Sequence, residues 1–470
     1  MLERNVLRLA AGSAVAGVAL AATAAGLAGP WDGGQRTAER DRAAARVATG
    51  GAHHGRAAAP GPSAGRAPAP APSAPAVLAP LAAPARVRGA SATALAGVLD
   101  PLLRAPGLGA TRTASVVDAA TGRPLYGYGA ATPVVPASTV KIATAAAALS
   151  ALGPGHRLTT AVVATRDART VTLVGGGDPT LDGSRLEALA AATAKALRAR
   201  GAAPAALTYD TSLYEGPVRH RIGADDNIAP VTALMTRAGR LDGSTSGPAP
   251  RAADPARETA RAFAELLAAR GVRVPAAPAP GRAPHGAVRL AATHSAPLSA
   301  LVERTLTHSD NDLAEALARA TARATRHPAG FDGAGRAVRE RLRRLGVPLD
   351  GAVLADGSGL DRRDRVSARL LTALLARAAD PAHPELRPVL TGLPVGGFSG
   401  TLEDRYTGGS PAAGLVRAKT GTLAGVDALA GTAVTRDGRL LAFAFLASNT
   451  RSPYEARPAL DALATALTAA

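Results

Sequence analysis

The chain has 470 residues, a net charge of +18, no cysteine and 3% aromatic residues; this length exceeds one simple core and implies two or three structural units. The absent thiol excludes disulfides, thiolate metal sites and a cysteine nucleophile, and the nine histidines show no H-E-x-x-H or other metal-ligand spacing, so no metal or other cofactor is expected. With aromatics this sparse, the positive charge reads as solubility or attraction to an anionic cell envelope, and not as stacking on nucleic acid.

At the N-terminus Arg4 and Arg8 precede an uncharged stretch from Leu9 to Trp31, the charged and apolar regions of an export signal. Ala22-Thr23-Ala24 and Gly26-Leu27-Ala28 offer cleavage sites. The stretch is also long enough to span a bilayer, although Ala and Gly make it weakly apolar, so residues 1–31 are expected to be a signal peptide or a membrane anchor. Either places the functional part outside the cytoplasmic membrane. Residues 32–86 are Ala, Pro, Gly, Arg and Ser with almost no large apolar side chain, which predicts a disordered linker.

Order is expected to begin with a helix over Ala92–Leu103. Thr113–Tyr128 reads as a hairpin turning at Thr121-Gly122. An alanine-rich helix is predicted over Ser138–Leu152, stopped by Gly153-Pro154. From 156 to 290 strand-like runs (Thr159–Ala164, Thr170–Val174, Ala206–Asp210) mix with helical ones (Arg185–Arg200, Pro255–Ala269). Helices are then predicted over Pro297–Thr307, Leu313–Thr325, Ala334–Leu345 and Ser367–Ala378. Strands follow over Leu415–Gly421, Ala428–Thr435 and Leu440–Ser448, the last two joined by a turn at Asp437-Gly438, and a helix over Pro453–Thr468 closes the chain. These elements suggest an α/β (α+β) protein: an antiparallel sheet covered by helices, with a smaller α/β unit inserted at 156–290 between segments 87–155 and 291–470 of one domain.

Only three lysines occur, against 51 arginines. Two lie in short motifs, Lys141 in Ser138-Thr139-Val140-Lys141 and Lys419 in Lys419-Thr420-Gly421-Thr422. A guanidinium keeps its proton near neutral pH, whereas an amine can be tuned downward by burial or a neighbouring cation. Lysine is therefore retained where a proton has to move. On the predicted helix Ser138 and Lys141 share one face, roughly 5–6 Å apart between β-carbons, beside the free N–H groups of the helix start. A third motif, Ser309-Asp310-Asn311, falls between them.

S-x-x-K, S-D-N and K-T-G in that order form the set shared by penicillin-binding enzymes and serine β-lactamases. The long stretch between Ser138 and Ser309 resembles peptidase family S13, the class C penicillin-binding proteins, which are D-alanyl-D-alanine carboxypeptidases and endopeptidases. Gly175–Leu181, Ser309–Glu315, Asp356–Leu360, Leu393–Gly397 and Gly400–Leu402 also look like that family. The insertion is shorter than in the well-known members, which carry two extra domains there.

The resemblance implies a penicillin-binding-protein fold and a substrate, the peptidoglycan stem peptide ending in D-Ala-D-Ala, with β-lactams as inhibitors. Ser138 would attack the carbonyl between the two D-alanines with Lys141 as base, its pKa lowered by Lys419 nearby, and Ser309 would relay the proton to the leaving amine. Asn311 would hold the substrate's peptide group, and Lys419, Thr420 and Thr422 the terminal carboxylate. The backbone N–H groups of Ser138 and Thr422 would form the oxyanion hole. Asp178 is a candidate contact for a cationic end of the stem, and Arg362 for a carboxylate. Two alternatives are a β-lactamase and a non-catalytic wall-binding relative. Against the first, no E-x-x-L-N pattern lies between Asn311 and Lys419, and Glu315, Glu340, Glu385 and Glu403 have nothing to mark them; against the second stand the intact motifs.

Overall fold

In a computed structural model that describes residues 92–223 and 225–470, the chain begins with α1 (Ala92–Leu103), the hairpin β1 (Thr111–Asp118) and β2 (Pro124–Tyr128), and α2 (Lys141–Leu152). There follow β3 (Thr159–Ala164), β4 (Thr170–Val174), α3 (Gly183–Arg198), β5 (Ala206–Asp210), α4 (Pro255–Ala268), β6 (Ala279–Pro280) and β7 (Val288–His294). Helices α5 (Leu298–Thr307), α6 (Asn311–Ala324), α7 (Phe331–Arg344), α8 (Ala368–Ala379) and α9 (Arg387–Thr391) lead to β8 (Val416–Leu423), β9 (Val426–Val434), β10 (Leu440–Ser448) and α10 (Pro453–Thr468). The predicted signal or anchor and the linker, residues 1–86, lie outside the described residues. No helix among the described residues is long and apolar enough to cross a membrane.

The first sheet, in the order β2-β1-β10-β9-β8, is antiparallel throughout. Successive side chains on a strand face opposite ways, and β10 uses this to sort residues by size. Ala442, Ala444 and Leu446 face one core with α2 and α8, whereas Leu441, Phe443, Phe445 and Ala447 face another with α1 and α10. Small residues on the first face let α8 come close. The α2 run Lys141–Leu149 is buried on every side, as expected for an alanine-rich helix enclosed by helices α5, α6, α7 and α8.

The second sheet, in the order β6-β5-β4-β3-β7, mixes parallel pairs (β4–β5, β5–β6) with antiparallel ones (β3–β4, β3–β7) and packs on α3 and α4. Strand β7 is absent from the sequence reading, and the boundary set at residue 290 falls inside it. Its sequence Val-Arg-Leu-Ala-Ala-Thr-His is half-exposed without alternating burial, so it lacks the period-2 signal.

A second difference lies at Ser138. Instead of one helix from Ser138, a 3-10 turn at Ala137–Val140 precedes α2. Ala137 takes the left-handed conformation, φ 47°, and Thr139 Oγ1 donates to the Pro136 carbonyl (2.7 Å). Two neighbouring strands of chain press on this turn, and glycine makes room in both. A β-carbon on Gly359 would stand 2.1 Å from the Ala137 carbonyl oxygen, and one on Gly421 would stand 2.7 Å from that of Pro136.

Candidate active site

The tight turn leaves Ser138 half-buried at the base of a cleft of about 270 Å³ that Ser309, Asn311, Thr401 and Thr422 also line. Lys141, one residue into α2, is wholly buried beneath it. Its Nζ donates to Ser138 Oγ (2.9 Å), Asn311 Oδ1 (2.7 Å) and the Ser358 carbonyl (2.6 Å). The orientation of the Asn311 amide is fixed from its other end, where Nδ2 donates to the Asn227 carbonyl (3.0 Å). The two oxygens bonded to Lys141 besides Ser138 can only accept. Once the amine loses a proton, its lone pair therefore has a single partner able to donate to it, the Ser138 hydroxyl.

Burial lowers the Lys141 amine from its ordinary value to about 8, while the charges of Asp356, Asp310, Glu315 and Asp364 oppose the shift. Lys419 is also wholly buried, and its amine donates to the Thr420 carbonyl (2.8 Å). Desolvation, helped by the Lys141 charge, holds Lys419 well below the usual lysine range. Burial is the largest cause of the shift at both amines, and the repulsion between their charges adds to it.

Ser309 is held at φ 56°, in the left-handed region where a non-glycine residue is strained. Asp310 caps α6 by accepting from Leu313 N (3.0 Å), so Asn311 opens that helix and not the loop before it. Thr420 Oγ1 donates to Thr401 Oγ1 (2.9 Å), and the Thr422 hydroxyl faces Asp427 Oδ1 at 3.4 Å. Arg362 is exposed, with its guanidinium clasping the Ala424 carbonyl in the β8–β9 turn. Asp178 is not brought to the cleft. It is buried, accepting from Thr180 N and Oγ1 (2.9 and 2.6 Å) and pairing with Arg185 (2.8 Å). Those partners occupy its oxygens.

Several residues of the site have roles that the motifs do not reveal. Glu315 Oε1 accepts from Gly357 N (2.8 Å) and Ser358 N (3.0 Å), and Oε2 pairs with Arg319 (2.6 Å). The Arg319 guanidinium lies 4.3 Å from the Phe331 ring centroid and 5.4 Å from that of Tyr214. Asp356 accepts from Gly359 N, Leu360 N and Asp361 N, from the Ser358 hydroxyl, and from His220 Nε2 at 2.8 Å. The donor atoms of His220, Glu315 and Asp356 gather within 4.8 Å of one another, the spacing of a metal site. Their lone pairs are instead taken up by these N–H and guanidinium groups. Asp312 joins the stretch between β5 and α4 to α6: it accepts from Ala229 N (2.9 Å) and pairs with Arg251 (2.8 Å), and burial and the Asp310 charge raise it to about 7 against the pull of Arg251. Asn227, Arg240 and Arg251 line the cleft from this side.

The sequence profile of the D-Ala-D-Ala carboxypeptidase 3 (S13) family matches residues 95–249 and 241–469. Among characterised proteins, the chain is 40% identical over 349 residues to a carboxypeptidase of Mycobacterium tuberculosis and 39% identical over 345 residues to carboxypeptidase DacB of Mycolicibacterium smegmatis. Each alignment covers 70% of this chain and 74% of the relative. Among solved structures, penicillin binding protein 4 of Haemophilus influenzae superposes with a TM-score of 0.67 at 22% identity, covering 78% of this chain and 98% of that one. That likeness establishes the penicillin-binding-protein fold. The matched sequence spans both sheets and all three motifs, and the chain belongs to the S13 family and is a serine-type D-Ala-D-Ala carboxypeptidase.

Proposed function

We propose that the protein removes the terminal D-alanine from peptidoglycan stem peptides through an acyl-enzyme at Ser138. The observation that carries this reading is the Lys141 amine 2.9 Å from Ser138 Oγ, with its other two partners unable to donate. Ser138 Oγ attacks the carbonyl between the two D-alanines and passes its proton to Lys141 Nζ. Backbone N–H groups of Ser138 and Thr422 hold the oxyanion, and the Ser309 hydroxyl relays the proton to the departing amine. Water then releases the acyl group. The second N–H of the Asn311 amide is left for the substrate's peptide group, and Thr420 and Thr422 offer hydroxyls to the terminal carboxylate. Arrival of that carboxylate favours the charged form of Lys419, which burial otherwise disfavours. Where the amine belongs to a neighbouring stem, the same steps cleave a cross-link. Arg362, exposed beside the β8–β9 turn, is assigned to a carboxylate elsewhere on the stem.

In this reading residues 87–155 and 291–470 are the catalytic domain, residues 156–290 an inserted domain that walls the cleft, and residues 1–86 an export signal or anchor with its tether, so that the enzyme works at the cell wall. A β-lactamase commonly uses a glutamate to activate the deacylating water. Glu315 is engaged with the 357–358 backbone and Arg319, Glu340 with His327 and Arg344, and Glu385 with His383. Labelled penicillin followed by peptide mapping tests the assignment: label is expected on Ser138, and equal labelling of Ser138→Ala sinks it. Stem peptides are expected to yield D-alanine. Rapid penicillin turnover without D-alanine release would favour the β-lactamase, and wall binding without either activity the binding protein.

A further inference from the structure

His220 lies in the stretch between β5 and α4, far in sequence from every motif, yet it is buried against the catalytic machinery. Its Nε2 meets Asp356 Oδ2 at 2.8 Å, its Nδ1 faces Ile222 N at 3.3 Å, and its ring stands edge-on to Phe331 with centroids 5.2 Å apart. Asp356 gathers the N–H groups of Gly359, Leu360 and Asp361. Those bonds set the peptide at Ser358, whose carbonyl receives the Lys141 amine at 2.6 Å. The path from imidazole to base is short, buried and hydrogen-bonded at each step, and among the described residues His220 is the point where residues 156–290 enter it.

We propose that His220 is a positioning residue for the reaction: by holding Asp356 it fixes the 356–361 loop whose Ser358 carbonyl aims the Lys141 amine at Ser138. The inference rests on Lys141 being the base. Burial works against a charged His220, but Asp356, with Glu315 and Asp361 behind it, raises the imidazole. His220 in turn helps keep Asp356 ionised against burial, while Asp364, raised well above its usual value by burial and the Asp356 charge, shares the site. The groups facing Lys141 are Asp356, Asp310, Glu315 and Asp364, with Lys419 beyond. Asp356 leads the charges that raise Lys141, so a weakened Asp356 carboxylate lets the lysine lose its proton at lower pH.

The test is the rate of Ser138 acylation by a fluorescent penicillin, followed against pH in the full chain alongside thermal melting. His220→Phe, which keeps the ring but cannot donate, is expected to slow acylation by about 10- to 100-fold, the cost of misplacing a reacting group. His220→Gln, whose amide can donate to Asp356, is expected to recover most of the rate. Asp356→Asn, which removes the charge that leads those raising Lys141, is expected to move the rising limb below the wild-type position. A wild-type rate in His220→Phe, with Lys141→Met inactive, overturns this inference alone. Acylation of Lys141→Met at the wild-type rate overturns the base assignment and the inference with it. Should His220→Phe fail to fold, an unmoved limb in Asp356→Asn is the contrary result.

Discussion

Both catalytic-motif lysines are sealed from solvent, and burial serves a different purpose at each. At Lys141 it yields a base with a pKa near 8, so acylation should rise with pH, fall roughly tenfold per unit below the limb, and level off above it. A stopped-flow pH profile with no limb between pH 7 and 9 would contradict the assignment. Arginine cannot take up a proton at such pH. Lys141→Arg is therefore expected to lose about 10²- to 10⁴-fold in acylation rate. Lys419→Arg keeps the charge, and its smaller loss should fall on peptides with a free terminal carboxylate and spare those whose carboxylate is amidated. Similar losses on both substrates would mean that Lys419 does not read the carboxylate. The scarcity of lysine in an arginine-rich chain made these two positions legible from composition. The sequence does not reveal that carboxylates gather around Lys141, because Asp356, Asp310, Glu315 and Asp364 come from distant segments.

At the scale of elements, the 3-10 turn, the 356–361 loop and β8 interlock so closely that glycine is required at their contacts. Gly421→Ala would drive a methyl group against the Pro136 carbonyl and push β8 off the turn. Acylation is expected to fall about 100-fold while the melting temperature changes little, since the sheet core is untouched; a full rate with unchanged melting would show that β8 can yield. Glu315→Ala differs in kind. It strands the buried Arg319 charge and two loop N–H groups, with an expected cost of about 3–5 kcal/mol in denaturant unfolding. The elements themselves were largely readable, because β3, β4, β5 and β10 alternate or run apolar between glycines. Strand β7 was not readable, because its half-exposed residues follow no period. The 3-10 turn escaped for a different reason: Ala137 is driven to positive φ by contacts with Gly359 and Gly421, distant in sequence. Asp178 stood out within a glycine-rich motif, but Arg185, in the first turn of α3, draws it inward.

At the scale of the whole molecule, the stretch between β5 and α4 is tied to α6 by the buried Arg251–Asp312 pair. Arg251→Ala would leave the Asp312 carboxylate buried without its cation, and a loss of about 3–5 kcal/mol is expected, with acylation impaired through Asn227 and Asn311; undisturbed unfolding and acylation would mean that this wall is not coupled to the motif. By contrast, a protein starting near residue 87 is expected to release D-alanine from soluble peptides as fast as the full chain, because every contact described at the cleft comes from later residues. The first sheet is closed by strands from opposite ends of this folded region, Thr111 of β1 lying against Ser448 of β10. Bringing such distant segments together costs loop-closure entropy before any pairing repays it, which slows folding. A growing chain that has completed Ser138 and Lys141 still lacks β8 and the strands beside which it pairs. Penicillin-binding competence should therefore appear late and all at once, leaving a chain ended before β10 inert toward the antibiotic despite carrying all three motifs.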